Sequence, residues 1–430
     1  MKLHQRLEAP VLVLGLSLAL WLSGCTIPER RSASGSHHHD FIDYWPVPKN
    51  DQEIVLAVKD NIDVKGVVTS AGSEYVSKTA SPATEDAACL AIARARGVRI
   101  IGKTNLSEFA VAPSGVNEYF GTPRNPFSKL HKIIPGGSSS GSAASVDSGL
   151  ADIAFGTDTA GSVRVPAACQ GIVGLKTTFG LVPLRGVFPV EPKHLDTVGP
   201  MGKDIAHVVM GMDLLEKGFA DKYNTAVGKK PSGKQIRIGR LYLSGTDPKI
   251  DKAIDDALVR AQFQVVRLGP AFKVKWDQAK NDGNTMAAAG AWISEQQYVL
   301  QWGVRTRTRA IILLGRLLYP GPYRQALARR AAWEHVLREE FKKVDFIALP
   351  TLQVIPPPIP WLGGSAFLEA QVLNIQNTVA VNYAGNPALA VPIPVGHEHF
   401  PVTSLQLVGP RLSEAQLLNA GRIVEASSER

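Results

Sequence analysis

The chain has 430 residues, 45% of them hydrophobic and 20% charged, an ordinary globular composition long enough for a large core and for two or three domains. Its 47 Lys and Arg against 38 Asp and Glu leave a formal charge of +9, but the charges are interleaved and no basic block sits beside aromatics, so nucleic-acid binding is not indicated. Three cysteines cannot build a disulfide framework, and the absence of Cys-x-x-Cys or His/Cys pairs at zinc spacing argues against a structural metal.

Residues 1 to 24 read as a secretory signal peptide. Lys2 and Arg6 precede the apolar run Val11 to Leu22, which closes on Leu22-Ser23-Gly24-Cys25. That run is too short for a bilayer span, which needs roughly 17 to 25 residues. Its end resembles the lipobox of bacterial lipoproteins. The resemblance implies that Cys25 is lipidated, that acyl chains hold the protein to the periplasmic face of a membrane, and, because Thr26 is not Asp, that the outer membrane is favoured. Residues 25 to 45, rich in Ser, Arg and His, read as a flexible tether, and His37-His38-His39 as part of that polar linker. Residues 46 to 430 then read as a single folded domain.

From Glu53 onward, strand-like and helical segments alternate. Ile54 to Val58 is a continuous apolar run, as in a strand buried on both faces. Thr84 is placed to cap a helix that carries Glu85 and Asp86 in its first turn and stops before Gly97. Val98 to Ile101 is the next strand. Strand, helix and strand in succession predict a βαβ unit, hence an α/β fold with a large, mostly parallel sheet. Ser140 to Ser148 reads as a small-residue helix stopped by Gly149. The Lys/Gly/Pro-rich stretch Gly228 to Lys234, and Pro356-Pro357-Pro358 with Gly363-Gly364, read as excursions from one domain, because Phe346 to Leu349 looks like a return to the same sheet. Arg305 to Lys343 has the pattern of an amphipathic helix pair.

Three features between Lys59 and Ser162 carry chemistry: a lysine ending an apolar strand, the Gly/Ser cluster Gly136 to Ser142, and the turn Gly156-Thr157-Asp158-Thr159-Ala160-Gly161-Ser162. The cluster lacks both phosphate-binding glycine patterns. Gly137-Ser138-Ser139-Ser140-Gly141 does match the Gly-x-Ser-x-Gly elbow, which would make Ser139 an α/β-hydrolase nucleophile with His194, His207 or His335 as its base.

Taken together, with Gly102-Lys103-Thr104-Asn105, Ser162-Val163-Arg164-Val165-Pro166, Gly174-Leu175-Lys176 and Asn386-Pro387-Ala388, these features closely resemble the amidase signature family from about Ile54 to Val424. The resemblance implies a large mixed β-sheet flanked by helices on both faces, a Lys59/Ser138/Ser162 triad with a cis peptide bond at Ser138, and no cofactor. Physically, a serine hydroxyl needs a base. Only about one lysine in 2,500 is neutral at pH 7, so Lys59 must be buried to serve. Asp60, the next strand residue, points to the other face and would not hold Lys59 charged. Lys59 then takes the proton of Ser138, Ser138 that of Ser162, and Ser162 attacks a carbonyl carbon. Backbone N–H groups of Thr159, Ala160, Gly161 and Ser162 are expected to hold the oxyanion, Asp158 and Arg164 to brace the turn, and Ser139 to assist. The family has glycine where Ala160 stands, which threatens to narrow the turn if positive φ is required.

The expected activity is hydrolysis of a small-molecule carboxamide through an acyl-enzyme. The alternatives are a glutaminase component of a transfer-RNA amidotransferase and a non-catalytic envelope lipoprotein with this fold. Trp276, Trp292, Trp302 and Trp361 are candidates for an apolar acyl pocket, with core packing as the competing reading.

Overall fold

A computed structural model describes residues 39–45, 53–128, 133–361, 363–397 and 400–428. The segments assigned to the signal, to Cys25 and to most of the tether lie outside these residues. Eleven strands form one sheet, in the order β1-β3-β2-β4-β6-β5-β10-β11-β9-β7-β8. They are β1 Phe41–Tyr44, β2 Val55–Lys59, β3 Arg99–Thr104, β4 Ile153–Thr157, β5 Val173–Lys176, β6 Val198–Gly202, β7 Arg237–Arg240, β8 Gln264–Arg267, β9 Phe346–Pro350, β10 Ala388–Pro394 and β11 Val402–Val408. The helices in the first half are α1 Glu74–Thr79, α2 Ala91–Ala95, α3 Ser140–Asp147, α4 Arg164–Gln170, α5 Ile205–Leu215 and α6 Phe219–Lys229. In the second half they are α7 Pro248–Arg260, α8 Pro270–Glu295, α9 Thr306–Leu318, α10 Gly321–Glu340, α11 Ala366–Ile375, α12 Val379–Ala384 and α13 Glu414–Ser428. No helix among the described residues is long and apolar enough to cross a membrane.

The mixed α/β sheet with helices on both faces is as expected. Strand β2 shows how it is sealed: Leu56 and Val58 join the cluster that includes Val208 and Met212 of α5 and Leu417 of α13. Val55 and Ala57 join Ala143 of α3 and Ala167 of α4 on the other face. Alternation therefore turns Lys59, in phase with Val55 and Ala57, toward the face where α3 and α4 begin. The return after the middle region is also as expected, since β9 pairs with β11 and β7 within the same sheet.

Three expectations need correction. The sheet is not mostly parallel: six neighbouring pairs run antiparallel (β1–β3, β4–β6, β6–β5, β5–β10, β10–β11, β11–β9) and four run parallel. The βαβ pattern of β2 and β3 holds only locally. The central strand β6 reads Val-Gly-Pro-Met-Gly, and proline inside a central strand is a signal against one. The tether ends sooner than residue 45, because Phe41–Tyr44 pairs with β3 at the sheet edge and Phe41 is fully buried. The helix expected from Thr84 starts later, as a 3₁₀ turn Ala88–Leu90 running into α2. The backbone before it is engaged elsewhere: Ala87 N–H bonds Asp63 O, Ala88 N–H bonds Arg185 O, and the Asp86 carboxylate accepts Lys65 N–H at 2.9 Å and Arg94 at 3.0 Å. Cys89 and Cys169 are two separate buried thiols.

Candidate active site

Lys59 closes β2 with no solvent exposure. Burial drives its pKa from 10.5 down to about 7, against the opposing pull of Asp158 and Asp196. Its Nζ lies 2.8 Å from Ser138 Oγ and 2.8 Å from Thr157 Oγ1. Asn61 Nδ2 also donates to Thr157 Oγ1, at 3.1 Å. A neutral amine has two N–H donors and one lone pair, so with Thr157 fixing one donor the lone pair is left for the Ser138 proton. Asp60 takes no part, since its carboxylate faces Lys103 Nζ at 2.9 Å.

Ser138 stands ahead of α3, and the Gly137–Ser138 bond is cis, as the resemblance implied. Ser139 N–H reaches Ser162 O at 3.3 Å, tying the serine cluster to the turn after β4. The Ser139 hydroxyl donates to Thr157 O at 3.3 Å. The elbow reading does not hold: His207 binds Asp204 at 2.6 Å, His194 lies 3.4 Å from Arg330, and His335 lies on the exposed side of α10. No histidine hydrogen-bonds Ser139 among the described residues.

The turn carrying Ser162 is held from below by a buried ion pair. Asp158 and Arg164 are both 0% exposed. The Asp158 carboxylate accepts Arg164 Nε and Nη2 at 3.0 and 2.9 Å, Asn382 Nδ2 at 2.8 Å, and the N–H groups of Gly161 and Val163 at 2.8 and 3.2 Å. Burial opposes its ionisation, but Arg164 and these donors prevail and hold its pKa at about 2. Arg164 also reaches Thr378 O at 3.1 Å and Gln406 Oε1 at 2.7 Å, so the turn is fastened to α12 and β11.

Gly161 adopts φ 135°, and a Cβ there would meet Thr378 Oγ1 at 2.3 Å; only glycine fits. Ala160 is not among the residues with positive φ, so alanine costs the turn nothing. Of the four N–H groups expected to point at an oxyanion, that of Gly161 is already given to Asp158. Those of Thr159, Ala160 and Ser162 have no acceptor among the described residues.

Sequence reasoning missed Thr157, Asn382, Gln406 and Asp196. Asp196 is buried, its carboxyl pushed upward by burial although it accepts Thr159 Oγ1 at 2.6 Å and the Val190 N–H at 2.9 Å. It sits in no motif, among the charged and polar residues Glu191, Lys193, His194 and Thr197, so no local pattern marks it.

Ser162, Thr159 and Ala160 open onto a chamber of about 610 Å³, walled mainly by α8, α9 and α11. None of the four candidate tryptophans lines it. Trp276 is a core residue, Trp292 packs beside the Phe109 cluster, and Trp302 and Trp361 are exposed. Aromatic content alone carries no directional information: α8 turns Trp276 and Trp292 elsewhere, and Trp302 and Trp361 lie in turns outside the helices.

A buried lysine, a serine in hydrogen-bond reach of it, and a second serine on a braced turn thus lie beside one cavity. Residues 52–418 match the Amidase family model, and the chain belongs to that family. It is 32% identical over 411 residues to a glutamyl-tRNA(Gln) amidotransferase component from Symbiobacterium thermophilum, covering 85% of this chain and 80% of that one. It is equally 32% identical, over 392 residues, to a 2-amino-5-chloromuconic acid deaminase of Comamonas testosteroni, covering 86% and 80%. The crystal structure of the corresponding glutamyl-tRNA(Gln) amidotransferase component from Thermotoga maritima superposes with a TM-score of 0.74 at 25% identity, over 90% of this chain and 87% of that one.

Proposed function

We propose that the chain hydrolyses the C–N bond of a carboxamide through an acyl-enzyme on Ser162. The observation that carries this reading is the Lys59–Ser138 contact of 2.8 Å made by a lysine whose pKa lies near neutrality. Neutral Lys59 accepts the Ser138 proton, Ser138 accepts that of Ser162, and the Ser162 oxygen attacks the carbonyl carbon. The N–H groups of Thr159, Ala160 and Ser162 receive the oxyanion; losing one such donor costs about 10² to 10³ in rate. The C–N bond then breaks, the relayed proton leaves with the amine, and water enters by the same route to release the acid. Ser139 steadies the relay through Thr157.

The names of the amidotransferase relatives favour a second reading, a glutaminase working with partner chains. The secretory pattern of residues 1 to 24 speaks against it, and with it we place the protein on the periplasmic face of a membrane, tethered through Cys25. The test is ammonia release from simple aliphatic, aromatic and amino-acid amides by wild type and Ser162→Ala. Turnover lost by at least about 10³-fold in the variant supports the reading, as nucleophile removal elsewhere costs that or more. Turnover that survives in Ser162→Ala overturns it.

A further inference from the structure

The wall of the chamber is more specific than its volume. At about 610 Å³ it falls within the roughly 300 to 1,000 Å³ usual for small-molecule sites. Ala287, Ala288 and Ala291 of α8 and Leu313, Leu314 and Leu317 of α9 line it. Gly315 brings the two helices so close that a Cβ there would lie 2.0 Å from Ala288 O, and the lining residues of α8 are small, three of them alanines.

Charge is nearly excluded. Glu369 borders the chamber, but its carboxylate is committed to Ser114 N–H and Oγ, at 3.0 and 2.7 Å, and to Arg307. Arg316 stands at the exposed rim, its guanidinium 5.4 Å from the Trp292 ring. Neither is a buried, uncommitted ion of the kind that holds the ammonium or carboxylate of an amino acid. The polar atoms left in the wall are uncharged: Asn284 Oδ1 and Gln376 Nε2 are buried without a partner. Such atoms are normally satisfied, so an uncharged polar group of a ligand is the complement they lack.

We infer that this chamber binds the alkyl or aryl-alkyl acyl group of an uncharged, lipophilic carboxamide, and that an ionised amino-acid amide such as glutamine is a poor substrate. The inference rests on the amide-hydrolase reading of Ser162 for its chemistry and on the wall for its selectivity. The leucines at the mouth extend the apolar surface outward, since Leu313, Leu314 and Leu317 are 38%, 43% and 69% exposed, which leaves room for chains longer than the chamber itself.

The test takes acyl 4-nitroanilides from acetyl to dodecanoyl, with L-glutamine alongside, on the purified full chain. kcat/KM should rise about threefold or more per added methylene until the chamber is filled. Binding of alkanamides of the same lengths to Ser162→Ala is measured in parallel by calorimetry, and its Kd should fall with the same slope. Turnover that is flat with chain length, or best with glutamine, overturns the lipophilic assignment and leaves amide hydrolysis standing. Chain-length-dependent binding without any turnover keeps the assignment and removes the hydrolase reading. Ala288→Phe, which fills the chamber, should lower the ratio of decanoyl to butyryl turnover at least about tenfold. If that variant fails to fold, Leu314→Arg at the half-open mouth should lower the same ratio; a ratio unchanged in the folded variant overturns the inference.

Discussion

The floor of the site and the chamber above it solve opposite problems with opposite materials. Around Asp158 almost every buried polar atom is paired, by Arg164, Asn382 and two backbone amides; alanines and leucines line the chamber, and the few polar atoms go unpaired. A network of this kind tolerates little change, because each member left alone is a buried charge or an orphaned donor. An alkyl wall tolerates volume-conserving exchange at small cost. On the proposed reading, chemistry is fixed where hydrogen bonds are dense, and selectivity is set where they are sparse.

That contrast can be broken at its base. Lys59→Met keeps the bulk of a buried side chain and removes the proton acceptor; activity should fall by about 10² to 10⁴, while the midpoint of urea unfolding stays close to wild type. A large loss of stability instead would make Lys59 a structural group. Arg164→Met leaves Asp158 buried and unpaired, and unfolding free energy should drop by about 3 to 5 kcal/mol, read by urea titration; a drop below about 1 kcal/mol would mean that the amides alone satisfy Asp158.

The pH profile sharpens the same comparison. Because the relay needs neutral Lys59, kcat/KM should fall about tenfold per unit below its pKa of about 7 and level off above it. Asp158, held at about 2, stays ionised throughout that range. The sign for stability follows from the same depression. Between about 7 and 10.5 the unfolded chain carries a proton on Lys59 that the folded chain lacks, so stability from this group rises with pH across that window. Lys176, fully buried and also depressed to about 7 by burial and by Arg164, adds in the same direction. A pH–rate profile flat from about 5 to 9 would remove lysine as the base. The smallest effect belongs to Trp361→Ala: at 97% exposure the ring should change activity little and stability by less than about 0.5 kcal/mol, and a clear loss of activity would return that aromatic to substrate recognition.

How much of this was legible in the chain follows the range of the interactions. Lys59, Ser138 and Ser162 lie in short motifs at strand ends and turns, where local sequence dictates backbone geometry, and Asp158 and Arg164 fall within the same stretch. Asn382, Gln406 and Thr378 reach that stretch from more than 200 residues away, and no periodicity encodes such a meeting. The antiparallel half of the sheet was hidden because β6 carries glycine and proline in place of an apolar run, and the helix expected at Thr84 yields to hydrogen bonds that Ala87 and Ala88 donate to the Asp63 and Arg185 carbonyls, which only the tertiary fold supplies. The amphipathic pair after Arg305 was legible as helices, but not that the leucines of the first would face a cavity rather than a core.

The close approach of Gly315 to Ala288 gives the chamber an adjusting screw remote from the triad. A single methyl at position 315 has nowhere to go unless α8 and α9 move apart, since it would meet the Ala288 carbonyl. The spacing of these two helices, set by one glycine, thus bears on the width of the chamber without involving Lys59, Ser138 or Ser162.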